Sequence, residues 1–341
     1  MKRISARRSS PRVERKKRVR VPLVSVVMPL YNNAKELRRA ILSVLSQTTT
    51  QFELIVVNDG STDGGERSAR EFSDPRIHVI DQENKGVSSA RNRGVRASRA
   101  DLIAFLDADD EWNPDFLETI LRLRKNFPAC SVFATHYLYR ELDGRIRSPI
   151  LRDIPQGEWE GVLWDYFDVA SRSDPPLWSS AVAVIKTALI SVGGFPEGVT
   201  IGEDLLTWAR LAARYKVAFS RKQCSVFWLR GSLTGFPTRI PEIPDTVGRE
   251  LDALCSAVGA DSRRSLQRYI ALWHRMRASM FIQLNDGANA KLEVKKMAQY
   301  SPLDPRNNLF MLLAWTPRIM RKVVVQFFTF VKSIKRRIQS T

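Results

Sequence analysis

The chain has 341 residues, 44% of them hydrophobic, which allows one large domain or a domain with an appendage around a sizeable core. Its formal charge of +18 sits at the ends: residues 1–20 carry +9 and residues 306–341 carry +8, leaving +1 for residues 21–305. Such ends suit nucleic acid or an anionic bilayer face, but the neutral middle, without an aromatic–basic platform, counts against a nucleic-acid-binding body. Three scattered cysteines (Cys130, Cys224, Cys255) without a CxxC argue against a disulfide framework or zinc site and fit a reducing compartment. No apolar run follows the basic N-terminus, so no secretory signal is expected. No stretch of about 18 charge-poor apolar residues predicts a transmembrane helix.

In chain order, four short apolar runs predict strands: Val24–Met28, Leu54–Val57, Ile77–Ile80 and Leu102–Leu106. Ala34–Ser46 predicts a helix, with Leu37, Ile41, Val44 and Leu45 at helical spacing, and Val87–Ser98 predicts another. Strands alternating with helices imply crossover units and a mostly parallel sheet. Pro29–Asn33, Asn58–Asp63 and Asp107–Asp110 each follow a strand and should meet at the edge where such sheets bind ligands. Glu141–Glu160 reads as a connection, Trp178–Ile185 as a strand, Gly193–Pro196 as a turn and Leu205–Tyr215 as a helix. Beyond Pro244, residues 246–300 read as helical. Leu309–Ile338 is apolar with interspersed Arg and Lys, broken at Pro317, and suits a helix lying in a membrane interface or one packed on the domain.

The sharpest feature is Asp101–Asp110, where a buried-strand pattern ends in Asp107, Ala108, Asp109 and Asp110. Two carboxylates separated by one small residue suit Mg²⁺ or Mn²⁺ carrying a diphosphate. An acidic loop or helix start is the plainer alternative. Asp59 could accept from the imide N–H of a uracil or thymine ring, with Gly60 allowing close approach; an ordinary Asp-Gly turn fits equally. Lys85, Arg91 and a helix start near Gly86 could face a diphosphate, or be solvated charges. Glu203 and Asp204 could be helix N-terminal acids or include a general base.

The order of the motifs decides between these readings. VSVVMPLYNN, ELIVVNDGSTDG, NKGVSSARNRG, DLIAFLDADDEW, GGFPEG and GEDLLTWARLA occur in this sequence in this order. Together they resemble the family 2 glycosyltransferases with the GT-A fold, over roughly Val24–Phe219. The resemblance implies an α/β fold, a GT-A-type Rossmann-like and mostly parallel sheet flanked by helices, in a glycosyltransferase domain over 22–243. It covers neither end of the chain, where charge and residue pattern predict a basic disordered tail over 1–21 and a helical C-terminal extension over 244–341 with a basic amphipathic end.

It also implies roles. Pro29, Leu30, Tyr31 and Glu36 would flank the base, with Asp59 on its imide beside Gly60. Lys85, Ala90, Arg91 and Asn92 would line the nucleotide and sugar pocket, with Asp107 and Ala108 on the donor. Asp107 and Asp109 would hold Mn²⁺ or Mg²⁺, Asp204 would be the base, and Trp178, Ser179, Ser180 and Glu203 would lie on the acceptor side. The implied activity is metal-dependent, inverting transfer from a nucleotide-diphospho-sugar, foremost a UDP-sugar, to a saccharide or lipid-linked acceptor. The setting would be cell-surface polysaccharide or glycolipid assembly, in the cytoplasm or peripherally on the inner membrane face.

Two departures stand out. Trp228–Thr234 lacks the histidine of the family's Arg-x-His stretch, which leaves the third metal ligand open, with water able to complete the shell. The glutamine/arginine-x-x-arginine-tryptophan motif of processive synthases is also missing. His78, His136 and His274 have no partner at ligand spacing and read as structural. Of the rivals, a nucleotidyltransferase would need a Gly-rich basic loop where Pro29–Asn33 stands, and a catalytically dead sugar-binding module does not fit intact Asp107, Asp109 and Asp204.

Overall fold

Runs of valine, isoleucine and leucine bounded by turn residues set the strands, and the computed structural model describes residues 21–141, 143–229 and 239–316. The elements in order are β1 (Val24–Leu30), α1 (Ala34–Leu45), β2 (Phe52–Asp59), α2 (Gly65–Arg70), β3 (Ile77–Gln82), α3 (Val87–Ala97) and β4 (Leu102–Phe105). Then come β5 (Glu111–Trp112), α4 (Phe116–Asn126), β6 (Cys130–Arg140), β7 (Ile146–Arg147), β8 (Glu160–Val162), α5 (Tyr166–Arg172), β9 (Val182–Ile185), α6 (Lys186–Ser191), α7 (Glu203–Ala212) and β10 (Lys216–Trp228). The remainder is helical: α8 (Thr246–Ala253), α9 (Ala260–Gln283), α10 (Gly287–Tyr300) and α11 (Arg306–Trp315).

The sheet order is β3-β2-β1-β4-β9-β6-β10-β5, with β7 on β6 and β8 on β10. β3, β2, β1 and β4 are mutually parallel, as the alternation of strands and helices predicts. β9 enters antiparallel between β4 and β6, while β6 and β10 pair parallel. Trp178–Ile185 is only half strand, since Ser179–Ala181 forms a 3-10 turn before β9. β6 and β10 complete the sheet, and α4 packs on it, without having stood out in the sequence.

The two-residue period of β1 divides the core between two faces. Val24, Val26, Met28 and Leu30 pack with Leu37, Ile41 and Val44 of α1 and with Ile120 of α4. Val27 faces the opposite layer with Phe105, Val182, Phe219 and helices α5 to α7. Burial on both faces explains why these strands read as unbroken apolar runs.

The second layer extends into the C-terminal helices. Val247 and Leu251 of α8 and Leu266, Tyr269, Ile270 and Trp273 of α9 belong to the same cluster as Val27 and Phe105. The division expected at residue 244 therefore falls inside a shared core. Only the far end of the extension, Phe281 and Ile282 with Val294, Met297 and Leu313, forms a cluster of its own. The basic tail over residues 1–20 lies outside the described residues, as does the interfacial stretch Leu309–Ile338 beyond Thr316. Among the described residues no helix is long and apolar enough to cross a membrane.

Candidate active site

β4 ends where Leu106 N donates to Val27 O at 3.1 Å, and the four residues after it alternate in exposure. Asp107 and Asp109 are half-buried, whereas Ala108 and Asp110 are fully buried. Asp110 is thus the structural member of the run. Its Oδ2 accepts from Ser180 Oγ at 2.6 Å and its Oδ1 from Trp228 N at 3.2 Å. Burial pushes its carboxyl well up, and the charges of Asp109 and Asp107 add to this. Ser180 Oγ also accepts from Asp107 N at 3.1 Å, so one hydroxyl joins the two ends of the acidic turn.

α3 crosses beneath this turn and supplies Arg91, which is almost wholly buried. Its Nη2 donates to Asp107 Oδ1 at 2.8 Å and its Nη1 reaches Glu203 Oε1 at 3.4 Å. Its guanidinium also lies 5.2 Å from the ring centre of Phe195. One cation therefore ties the end of β4 to the start of α7. Gly202, at φ +82°, turns the chain into α7 and places Glu203 and Asp204 in its first turn. Burial pushes Glu203 up to about 7, helped by the Asp204 charge and opposed by Arg91. Burial likewise raises Asp204, and Arg91 opposes it. Glu203 has the ion pair; Asp204 instead accepts from Leu205 N at 2.7 Å.

On the other side, Asp59 ends β2 and organises the loop before α3. Its Oδ1 accepts from Gln82 Nε2 (2.7 Å) and Lys85 N (2.9 Å), and its Oδ2 from Gly86 N (2.9 Å). Gly60, at φ +72°, lies so close to this loop that a Cβ would stand 2.9 Å from Asn84 N. Asn32 Oδ1 accepts from Thr62 N at 2.8 Å, joining the first loop to the second. The first two strand-end loops thus meet directly, while the acidic turn is tied to α1 through Arg39 and to α3 through Arg91.

Several expected site residues are packed into or bonded to the scaffold. Leu30 packs in the core with Leu37, and Ala90 is buried with Ile55 and Val57. Pro29 is buried, Glu36 half-buried, and Tyr31 and Lys85 are exposed at the rim. Asn92 holds the glycine turn: its Nδ2 donates to Phe195 O (2.8 Å) and its Oδ1 accepts from Phe195 N (2.9 Å). Ser179 and Ser180 are buried, whereas Trp178 is half-buried and packs against Tyr137 and Phe227. The sequence reading passed over Arg39 and Arg140, whose guanidiniums lie 4.0 and 4.9 Å from the centre of one Trp228 ring. Arg39 also donates to Asp109 O. Its only sequence signal was a basic residue on the solvent side of an amphipathic helix.

The acidic turn fits a divalent cation. Asp107 and Asp109 offer oxygen donors in a half-open setting, and a cation between them would offset the charge that they add beside the buried Asp110. A second group with metal-ligand chemistry, Asp245, His274 and Glu293, lies in the C-terminal helices. It is already balanced: Arg277 Nε stands 3.3 Å from Asp245 Oδ2 and 3.1 Å from Glu293 Oε1.

This is the geometry of a GT-A glycosyltransferase domain: a parallel strand group ending in an Asp-x-Asp turn, joined by a buried arginine to an acidic helix start. Residues 25–173 match the model for Glycosyl transferase family 2, and the chain carries a domain of that family. Glycosyltransferase GlyA of Streptococcus pneumoniae is 36% identical over 132 residues, 38% of this chain and 19% of that protein. Chondroitin synthase of Escherichia coli is 39% identical over 132 residues, again 38% and 19%. The putative glycosyltransferase EpsH of Bacillus subtilis is 42% identical over 103 residues, 30% of each. The chain thus spans between a fifth and a third of the length of these relatives. The solved structure of S. aureus TarS residues 1–349 in complex with UDP-GlcNAc shares the fold, with a TM-score of 0.64 at 17% identity, covering 92% of this chain and 91% of that one.

Proposed function

We propose that the protein transfers a sugar from a nucleotide-diphospho-sugar, most naturally a UDP-sugar, to a hydroxyl of a saccharide or lipid-linked acceptor, with inversion at the anomeric carbon. The observation that carries this reading is the Arg91 bridge, which holds the Asp107 carboxylate and the acidic start of α7 on one side chain. The UDP-GlcNAc bound to TarS and the name of the chondroitin synthase support the donor class and a role in polysaccharide assembly.

In this reading Asp59 and the loop it organises take the base, and Asp107 and Asp109 hold Mn²⁺ or Mg²⁺. The cation would offset charge on the diphosphate. Asp204 accepts the proton of the attacking hydroxyl as its oxygen bonds the anomeric carbon. The bond from that carbon to the diphosphate oxygen breaks, and the nucleoside diphosphate leaves with the electron pair. Glu203, neutralised by Arg91, is a partner of the arginine rather than the base. Trp178 offers an aromatic face to the acceptor.

The test is nucleoside diphosphate release across a panel of UDP-, GDP- and dTDP-sugars, with and without Mn²⁺ or Mg²⁺. Metal-dependent release from a UDP-sugar, lost by about 10²–10⁴-fold in Asp204→Asn with donor binding retained, is expected. Near-wild-type transfer by Asp204→Asn rules out the base assignment.

A further inference from the structure

Helix α9 meets the segment carrying the acidic pair directly at two points and through Glu242 at a third, from residues spaced four apart on one helix face. Tyr269 OH donates to Leu205 O at 3.2 Å. The Trp273 ring lies against Gly202, where a Cβ would stand 2.5 Å from the indole Cζ3. Arg277 Nη2 donates to Glu242 O at 2.9 Å, and the Glu242 carboxylate accepts from both Thr200 N (2.6 Å) and Thr200 Oγ1 (2.7 Å). Reading down α9, the contacts therefore track residues 205, 202 and 200 in turn.

The indole is itself held. Trp273 is 1% exposed, and its Nε1 donates to both oxygens of Asp245, at 3.2 and 3.1 Å. Asp245 caps α8 by accepting from Gly248 N at 2.9 Å and is paired with Arg277. Arg277 is paired in turn with Glu293 of α10, whose Oε2 lies 2.7 Å from His274 Nδ1. Burial pushes the Glu293 carboxyl up, but His274 and Arg277 outweigh it and leave it below its ordinary value. Paired charges in so dry a setting attract one another more strongly than they would in water. Of the group, Asp245 holds the indole N–H and the Arg277 guanidinium lies 5.8 Å from the indole ring centre.

We propose that Trp273 is a positioning residue, and that the buried Asp245–His274–Arg277–Glu293 network makes α9 the template that fixes Gly202 and thereby the Asp204 carboxylate. The inference rests on the assignment of Asp204 as the base. It makes the C-terminal helices part of the catalytic apparatus, although they lie beyond the residues matched by the family model. The glycine at 202 follows from it, since any side chain there would enter the indole as well as strain a left-handed backbone.

The experiment uses the full chain, with UDP-GlcNAc or whichever panel donor the wild type turns over, and UDP with Mn²⁺ as the binding probe. Trp273→Phe keeps a ring against Gly202 but loses the N–H that anchors it. Its kcat should fall about tenfold, while the donor KM and UDP affinity stay within about twofold of wild type. Combined with Asp204→Asn, it should cost nothing beyond Asp204→Asn alone, because it acts through that carboxylate. Multiplied losses in the double variant, or UDP affinity falling in step with kcat, would overturn the proposal. Wild-type kcat in Trp273→Phe beside an inactive Asp204→Asn overturns it while sparing the base assignment; an active Asp204→Asn overturns the base assignment itself. Should Trp273→Phe lose its thermal transition, Tyr269→Phe, which deletes one hydroxyl from the same face, carries the same prediction at about two- to fivefold.

Discussion

Arg91 donates to Asp107 at 2.8 Å from a position with almost no solvent contact, so a guanidinium on α3 is committed to the end of β4. The same charge lowers the carboxyls of Glu203 and Asp204, which burial raises. The base must be ionised to accept a proton, so activity rises with pH through its native titration. Arg91→Met removes the opposing charge, and the acid limb of kcat/KM should move to higher pH. Arg91→Lys keeps a cation and should hold the limb near wild type with lower activity. An unmoved limb in Arg91→Met would show that the titrating group lies elsewhere.

Asp59 carries three hydrogen bonds from the loop that leads into α3, in addition to any role toward the base. Asp59→Ala frees Lys85 N and Gly86 N together. It should weaken UDP binding at least tenfold and GDP binding less, since guanine presents a different edge. Stability should fall by about 1–3 kcal/mol. Competition assays with both nucleotides measure the ratio, and equal competition by UDP in mutant and wild type contradicts the assignment.

Ser180 serves two carboxylate residues at once, donating to Asp110 and accepting from Asp107 N. Ser180→Ala leaves a buried acceptor and a backbone donor without their partner. Unfolding free energy should drop by roughly 1–3 kcal/mol, and Mn²⁺-dependent UDP binding should weaken as the acidic turn loosens. Urea denaturation and calorimetry test the two effects separately. Unchanged UDP affinity in a destabilised protein would confine Ser180 to the fold.

The parallel half of the sheet was legible because burial on both faces leaves no polar residue in β1, β2 or β4 until the strand starts or ends. β6 and β10 were not. Thr135 and His136 interrupt the apolar pattern of β6, and β10 is irregular around Gln223 with exposed residues at 222–223. The acidic turn was legible as a group, but residue type cannot rank adjacent aspartates; only strand alternation hands Asp109 to the open side and Asp110 to the core. Motif matching likewise singled out Ala90, Asn92 and Ser180, which the structure buries or bonds to the backbone. It could not tell a side chain that touches a ligand from one that holds the backbone. His274 looked solitary because its partner Glu293 is nineteen residues away on another helix.

His136 provides a stability test independent of the nucleotide site. It is buried on β6 near the rings of Tyr137 and Phe219, and its Nδ1 has no hydrogen-bond partner among the described residues. Burial lowers it to about 4, and the nearby Arg221 charge adds to this. An unfolded histidine titrates near 6.5. Between those values the unfolded chain binds a proton that the native state refuses. Stability therefore falls as pH drops from about 6.5 to 4 and is flat above, by up to roughly 2–3 kcal/mol for this group. His136→Phe removes the titration and keeps a buried ring on the strand. Urea denaturation of both proteins at pH 7.5 and pH 4.5 should show the mutant gaining on wild type by about 2 kcal/mol at the lower pH. A difference that does not change with pH would mean that His136 becomes protonated in the native fold as readily as in the unfolded chain.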